Sequence, residues 1–491
     1  MKRIINKANS ILSLLLAVLC ILSAACGKGT EQQTGQAGQT EQPEQTEQPG
    51  QTDGPADVFV FNRETDYDNN AAAPINAALI ETEDAYYLHM LDHNGFLYYY
   101  DKTIDDSGVL CPRPECVHDE KPNNKDCTGF IGGALAFSAL QYYEGKLWFY
   151  QDITIHTFGL FHMNLDGSEK TLVHEFTPEG TPLQYGNTRL YLHRGILYHA
   201  SLKQEIKNGD AFDKIVIGCM PMEDMTIAGR DVKAWEYYTI LERATVNPAQ
   251  PILDFAGDYV YMLYCYDGVE EYDGEPSTDD WAWWWDFAVT DEITRWKPSM
   301  TEPEVIYQKR NEPGTPNSLC AYNSAYVTKD GTPYFVDIMS THPGDPYDPE
   351  TNPFYVVLYR VENGDRTELF NTQADGNNTL VVLGEDRLVT TDNWYPESPD
   401  EGINISIRDF DGELLYHGPL STDFWQKPAG RMSCHNAWVT EDELIMCFSE
   451  YMGEVNPMYR WYFVKYDISP DGLTEKLLVK GEYHAPWLDR E

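Results

Sequence analysis

The chain has 491 residues with 35 Lys and Arg against 79 Asp and Glu, a net charge of −44. That charge excludes nucleic acid as a partner, because phosphate binding needs clustered Lys and Arg, and it leaves no basic surface to attract an anionic membrane. Apolar residues make up 42%, enough for a packed interior, and 33 Tyr, 19 Phe and 12 Trp suit pleated, half-buried surfaces, so a β-rich fold leads.

Residues 1–25 read as a lipoprotein signal peptide. Lys2, Arg3 and Lys7 form a positive start, Ile11 to Leu22 form an apolar stretch short for a membrane span, and Ser23, Ala24 and Ala25 precede Cys26. The layout resembles the bacterial lipobox, whose cysteine receives a diacylglycerol and becomes the new N-terminus. Ser23 stands where that pattern usually has Leu, and an ordinary secretory signal or an uncleaved membrane helix is the alternative. From Cys26 to Asp57 the chain repeats Glu-Gln-Pro and carries no large apolar side chain, so 26–57 is expected to be a flexible stalk. Lipid and stalk together imply a folded domain, 58–491, on the outer face of the cytoplasmic membrane, touching it only through the lipid.

Past Val58 a turn followed by an apolar strand recurs seven times. The copies are HNGFLYYYD from His93, YEGKLWFYQD from Tyr143, HRGILYHASL from His193, AGDYVYMLYCYDG from Ala256, KDGTPYFVDI from Lys329, GEDRLVTTDNW from Gly384 and TEDELIMCFS from Thr440. Several are followed by a second hairpin such as FYVVLYRVENGDRTELF from Phe354. This repeat predicts an all-β fold, a β-propeller of seven blades, with six or eight blades and stacked β-sandwiches as the alternatives. VFVFN at 58–62 is expected to add a strand to the last blade and close the ring. A closed ring has only short edges, so a monomer is expected.

The lipobox ending in Cys26, the polar stalk, GFLYYYDK at 95–102 and VLCPRPECVHDE from Val109 are the residues that carry a family resemblance. On them the chain resembles uncharacterised propeller-type lipoproteins of Gram-positive anaerobes, loosely related to the TolB-like and WD40-like propellers. The resemblance implies the fold and the envelope location. That group has no established activity, so it implies none here.

Cys111, Cys116, His118 and Cys127 follow a Cys-x4-Cys-x-His-x8-Cys spacing. Three thiolates and an imidazole satisfy tetrahedral zinc, and Pro112 and Pro114 stiffen the loop. A disulfide, which an extracytoplasmic location favours, and free thiols are the alternatives. A disulfide leaves a third cysteine over unless Cys219, Cys265, Cys320, Cys434 or Cys447 pairs with it, and these otherwise read as buried strand thiols. A closed four-ligand set has no open position for catalysis, so the loop is read as a structural staple between the first two blades.

Trp281, Trp283, Trp284 and Trp285 crowd an insertion in the fourth unit, and exposed indole faces stack on sugars or anchor interfaces. A small satellite core beneath the insertion is the bland alternative. The acidic run from Asp267 reads as a solvated loop, since its spacing does not follow the twelve-residue calcium loop. No Gly-x-Ser-x-Gly elbow, His-Glu-x-x-His, phosphate loop or dinucleotide fingerprint occurs. The expected function is therefore non-enzymatic binding of a carbohydrate or an envelope protein. A carbohydrate-active hydrolase or lyase with paired carboxylates at the propeller mouth is one alternative, and a protein scaffold or sensor subunit the other. Cys26→Ala should abolish incorporation of a labelled fatty acid and move the chain from the membrane fraction into the medium.

Overall fold

The computed structural model describes residues 59–71, 77–90, 95–118, 127–131, 140–154, 157–176, 190–207, 210–245, 251–268, 288–311, 325–340, 353–373, 380–392, 396, 401–425, 431–452, 458–469 and 471–484. Among them, seven four-stranded antiparallel sheets follow one another along the chain, at 77–109, 140–176, 191–245, 252–310, 325–373, 381–419 and 431–484. They are blades 1 to 7 of the predicted propeller. Each blade runs in chain order from its inner strand outward, and blade 3 adds a hairpin, Met225–Ile227 with Arg230–Val232, before its last strand. The chain after this hairpin enters the outer strand Tyr238–Thr245.

Burial explains the sequence pattern. Tyr259–Tyr266, the second strand of blade 4, is buried on both faces between neighbouring blades and so reads as a continuous apolar run. Outer strands such as Asp365–Gln373 face solvent and are polar. The Glu144-Gly145 and Arg194-Gly195 turns have positive φ at both residues (48° and 72°; 48° and 75°), the two-residue hairpin geometry that matches strand twist.

In blades 2 to 7 the ladder between third and fourth strands slips by one residue, for example at Leu160/Phe161, Leu358/Tyr359 and Phe463/Val464. Such a bulge sharpens the twist of the outer strand. The third–fourth connections accordingly dock on the preceding blade. Trp235 of blade 3 stacks on His174 of blade 2 at 4.6 Å, and Tyr307 of blade 4 bridges Gly364 of blade 5. Gly412 of blade 6 lies so close to Phe370 of blade 5 that a Cβ would meet its ring at 3.0 Å. The seam of blades 7 and 1 obeys the same rule: Lys476 pairs with Asp105 at 3.2 Å, while Tyr86 donates to Glu443 at 2.7 Å and Tyr98 packs on Trp461.

The expected closure by 58–62 is not how the ring closes. Among the described residues blade 7 draws all four of its strands from 431–484. The described part of 58–62 forms no strand, and Phe59 instead packs edge-on to Tyr259 beside Gly257 and Gly331, at the first–second turns of blades 4 and 5.

The residues that follow fill the mouth of the ring on this side and touch every blade. Arg63 donates to the Glu81 carbonyl of blade 1. In blade 2, Glu144 N–H donates to Glu64 O at 2.7 Å and the Tyr142 hydroxyl to the Glu64 carboxylate at 2.6 Å. In blade 3, Arg194 grips Asp66 with two bonds of 2.7 and 2.9 Å, and Tyr67 N–H donates to His193 Nδ1. Burial acts to raise the Asp66 pKa, but Arg194 and the Asn62 N–H outweigh it and hold the carboxyl below its ordinary range. Asn69 accepts from Phe255 N–H of blade 4 at 2.8 Å and donates to Phe255 O at 3.0 Å and to Val327 O of blade 5 at 2.7 Å. Asn70 donates to Val439 O of blade 7 at 3.0 Å and lies where a Cβ on Gly384 of blade 6 would come within 2.4 Å of its Oδ1. Asn69→Ala strips three bonds from a buried site and should lower unfolding free energy by about 2–4 kcal/mol in a denaturant titration.

Candidate metal centre

The path from blade 1 to blade 2 leaves the outer strand at Val109 and folds back on blade 1. Leu97 N–H donates to Gly129 O at 2.8 Å, Ile131 N–H to Gly95 O at 2.9 Å, and Phe96 and Phe130 form an antiparallel bridge. This pairing brings Cys127 over Cys111. Gly129 is required at the crossing, since a Cβ there would lie 2.5 Å from Leu110 O. A turn closed by Cys116 N–H to Arg113 O presents Cys116, and His118, at φ 51°, packs edge-on to Phe96.

One ligand atom from each of Cys111, Cys116, His118 and Cys127 falls within a group whose members all lie within 4.8 Å of one another. A tetrahedral zinc with Zn–S bonds of about 2.3 Å has ligands roughly 3.7 Å apart, so small side-chain adjustments complete the shell. His118 Nε2 is buried without a hydrogen-bond partner and all three thiols are unbridged, so the four side chains form a cluster that could hold a metal ion. Burial pushes the Cys111 thiol up, but hydrogen bonds involving His118, the Arg113 N–H, Cys127 and Thr128 prevail and bring its pKa down. Burial, with Cys111 and Cys116 adding to it, pushes the Cys127 thiol up. The donor set fits a soft or borderline divalent metal with no position left for a substrate.

Blade 2 closes over this loop. A Cβ on Gly167, in its third–fourth turn, would lie 2.7 Å from Leu110 O. Lys170 donates to Phe130 O at 2.6 Å, and its ammonium lies over the rings of Phe149 and Phe161. Burial lowers the Lys170 pKa to about 8, with Cys127 opposing, so the group stays mainly protonated at neutral pH. Blade 2 thus packs directly on the loop that carries the four side chains.

At the filled mouth, a cleft of about 210 Å³ lies beside the 62–71 segment, bordered by Arg63, Asp68, Glu81, Lys329, Glu385 and Glu443. Glu81 pairs with Lys102, Glu385 with Lys329 and Glu443 with Lys465. Asp68 lines this cleft and is exposed to solvent. Desolvation by the surrounding protein raises its pKa against the opposing Asn70 N–H and Lys329, and Glu385 adds to the rise.

Of the other sequence-predicted sites, Cys26, Trp281, Trp283, Trp284 and Trp285 lie outside the described residues. Cys219, Cys434 and Cys447 are buried free thiols, as read from the strands. Cys265 is corrected: it is disulfide-bonded, standing one residue from the end of its strand, where the chain leaves the ladder for the long blade-4 connection. Sequence reasoning passed over Asp68 and Lys170. The run Asn62-Arg-Glu-Thr-Asp-Tyr-Asp-Asn-Asn70, short polar side chains just before the first blade, is the signal that could have found the first. Lys170 has no such signal.

No family model matches the chain, and no curated protein does. Among solved structures, it is similar to a prolyl endopeptidase (10% identity, TM-score 0.42, covering 85% of this chain and 51% of that one). It is also similar to the β-propeller domain of the trilobed protease from Pyrococcus furiosus (12%, 0.37, 82% and 98%). A third is the acylaminoacyl peptidase of Pyrococcus horikoshii (12%, 0.38, 84% and 54%). The chain thus spans about half the length of the two peptidases and nearly all of the isolated propeller domain. At such identity and overlap the likeness says nothing of substrate or chemistry.

Purified protein stripped of metal should take up a single equivalent of Co(II) and develop a thiolate-to-metal absorption band that Cys127→Ala abolishes. Each ligand must lose its proton to bind, so affinity should fall as pH drops from about 8 to about 6, read by competition with a chromophoric chelator.

Proposed function

We propose that the protein is a lipid-anchored extracytoplasmic propeller that binds a glycan or an envelope protein without converting it. The observation that carries this reading is the filling of one mouth of the ring by the 62–71 segment. In the chain that segment directly follows the 26–57 stalk, so a tether from Cys26 enters on this side. The opposite face, where second–third and fourth–first connections leave the blades, is then the one turned outward. The second strand of blade 4 ends and its third begins on that side, and Trp281, Trp283, Trp284 and Trp285 stand between them in the sequence. Indole faces there suit the apolar faces of sugar rings. The disulfide at Cys265 supports an oxidising compartment, and the charge of −44 supports a ring held off an anionic envelope. In this reading Cys111, Cys116, His118 and Cys127 hold a structural zinc.

The hydrolase alternative draws on Asp68. Asp68, whose pKa is raised, and Glu385 border one cleft and would be the two carboxylates of such a site.

The double variant Trp283→Ala/Trp284→Ala should lose retention on immobilised envelope glycan while its melting temperature stays at the parental value. Unchanged retention, or a collapse of the melting temperature, overturns the glycan assignment. In the first case a protein partner takes its place.

A further inference from the structure

We infer that Lys170 is the charge-balancing positioning residue of the Cys111, Cys116, His118 and Cys127 metal centre, supplied from blade 2 to ligands that all belong to the blade 1 exit loop. The inference rests on the reading of that cluster as a zinc site.

The argument begins with charge. Three thiolates and a neutral imidazole around a divalent ion leave the centre with one net negative charge, at the partly buried seam between two blades. A charge removed from water is costly unless an opposite charge or hydrogen bonds meet it. Among the described residues nearby, Arg113 is exposed and paired with Glu115, so it is already spent on a carboxylate. Lys170 is different. It is enclosed at the seam, its ammonium faces the rings of Phe149 and Phe161, and its hydrogen bond goes to a neutral carbonyl, that of Phe130. Among the described residues no carboxylate is paired with it, and the carbonyl it binds lies three residues from Cys127.

The backbone connects the two groups. Phe130 N–H donates to Cys127 O at 3.2 Å, closing the turn that carries Cys127, and the carbonyl of the same Phe130 receives Lys170. The ammonium is thereby fixed to the turn that presents the most buried ligand. Gly167, three residues before Lys170 in the same turn of blade 2, admits the Leu110 carbonyl one residue from Cys111. Metal binding and the docking of blade 2 on blade 1 should therefore reinforce each other: the loaded centre attracts Lys170, and a docked Lys170 stabilises the loaded centre. Groups outside the ligand shell that orient or neutralise ligands typically change metal affinity 10–100-fold.

The test uses the purified protein, stripped of metal and titrated with Co(II) and Zn(II) in competition with a chromophoric chelator. Lys170→Met should weaken both metals about ten-fold, with the Co(II) absorption envelope unchanged because the four ligands are intact. Lys170→Arg, which keeps the charge, should stay near the parental affinity. Lys170→Gln removes the charge while keeping a donor for Phe130 O, and should behave like Lys170→Met; it also carries the test if the Met variant does not fold. A role limited to packing would lower the melting temperature of the metal-free protein and leave metal affinity untouched. Parental affinity in both neutral variants overturns this inference alone. Failure of the unaltered protein to bind Co(II) or Zn(II) overturns the zinc reading together with it.

Discussion

A ring in which every blade is built from its own stretch of chain has no shared strand to hold its ends together. The constraint falls on the short polar segment before blade 1, and above all on Asn69, whose amide joins the backbones of blades 4 and 5 at the mouth of the ring. Asn69 can do this because its side chain carries both a donor and an acceptor, matching the Phe255 N–H and C=O that an inner strand presents to no further neighbour. Asp66, bound by Arg194, and Asn70, bound to blade 7, extend the bracing around the ring. Buried backbone groups need partners, and inner strands have a free edge, so a segment rich in Asn and Asp is an economical way to close the mouth.

The outer ring is held by a different device. A bulge in the last ladder of blades 2 to 7 turns each third–fourth connection onto the preceding blade, where an aromatic ring or a glycine receives it. The seam between blades 7 and 1 joins this series through Lys476, Asp105, Tyr86 and Glu443, so closing the ring needs no special seam. At the seam of blades 1 and 2 the same geometry places Gly167 and Lys170 over the cysteine-histidine loop. That loop is consequently part of the inter-blade packing, although its four cysteine and histidine side chains all come from the blade 1 exit loop.

Much of this was legible in the repeat. Runs such as Tyr259–Tyr266 are continuous because both faces are covered, and turns such as Glu144-Gly145 mark two-residue hairpins, so blade number and strand order follow from local signals. The cluster of Cys111, Cys116, His118 and Cys127 was legible for the same reason, its members lying within one loop. The closure was misread. VFVFN has the composition of a strand, but blade 7 takes its four strands from 431–484, and Phe59 packs at the first–second turns of blades 4 and 5 instead. The thiol at Cys265 was misread because a half-cystine and a buried thiol occupy the same kind of position in an apolar strand.

The amino-acid sequence by itself determined the class of fold, the seven-fold repeat, the acidic charge and the four members of the cysteine-histidine cluster. Each of these depends on neighbours in the chain or on composition alone. Tertiary structure decided how the ring is braced, which carboxylates border its mouth, and which cation stands beside the cysteine-histidine loop. Asn69 meets Val327, and Lys170 meets the turn that carries Cys127, only after blades far apart in the chain have packed together. A single polar residue carries no mark of the partner it will find across a seam, because that partner is chosen by the stacking of blades and not by local propensity.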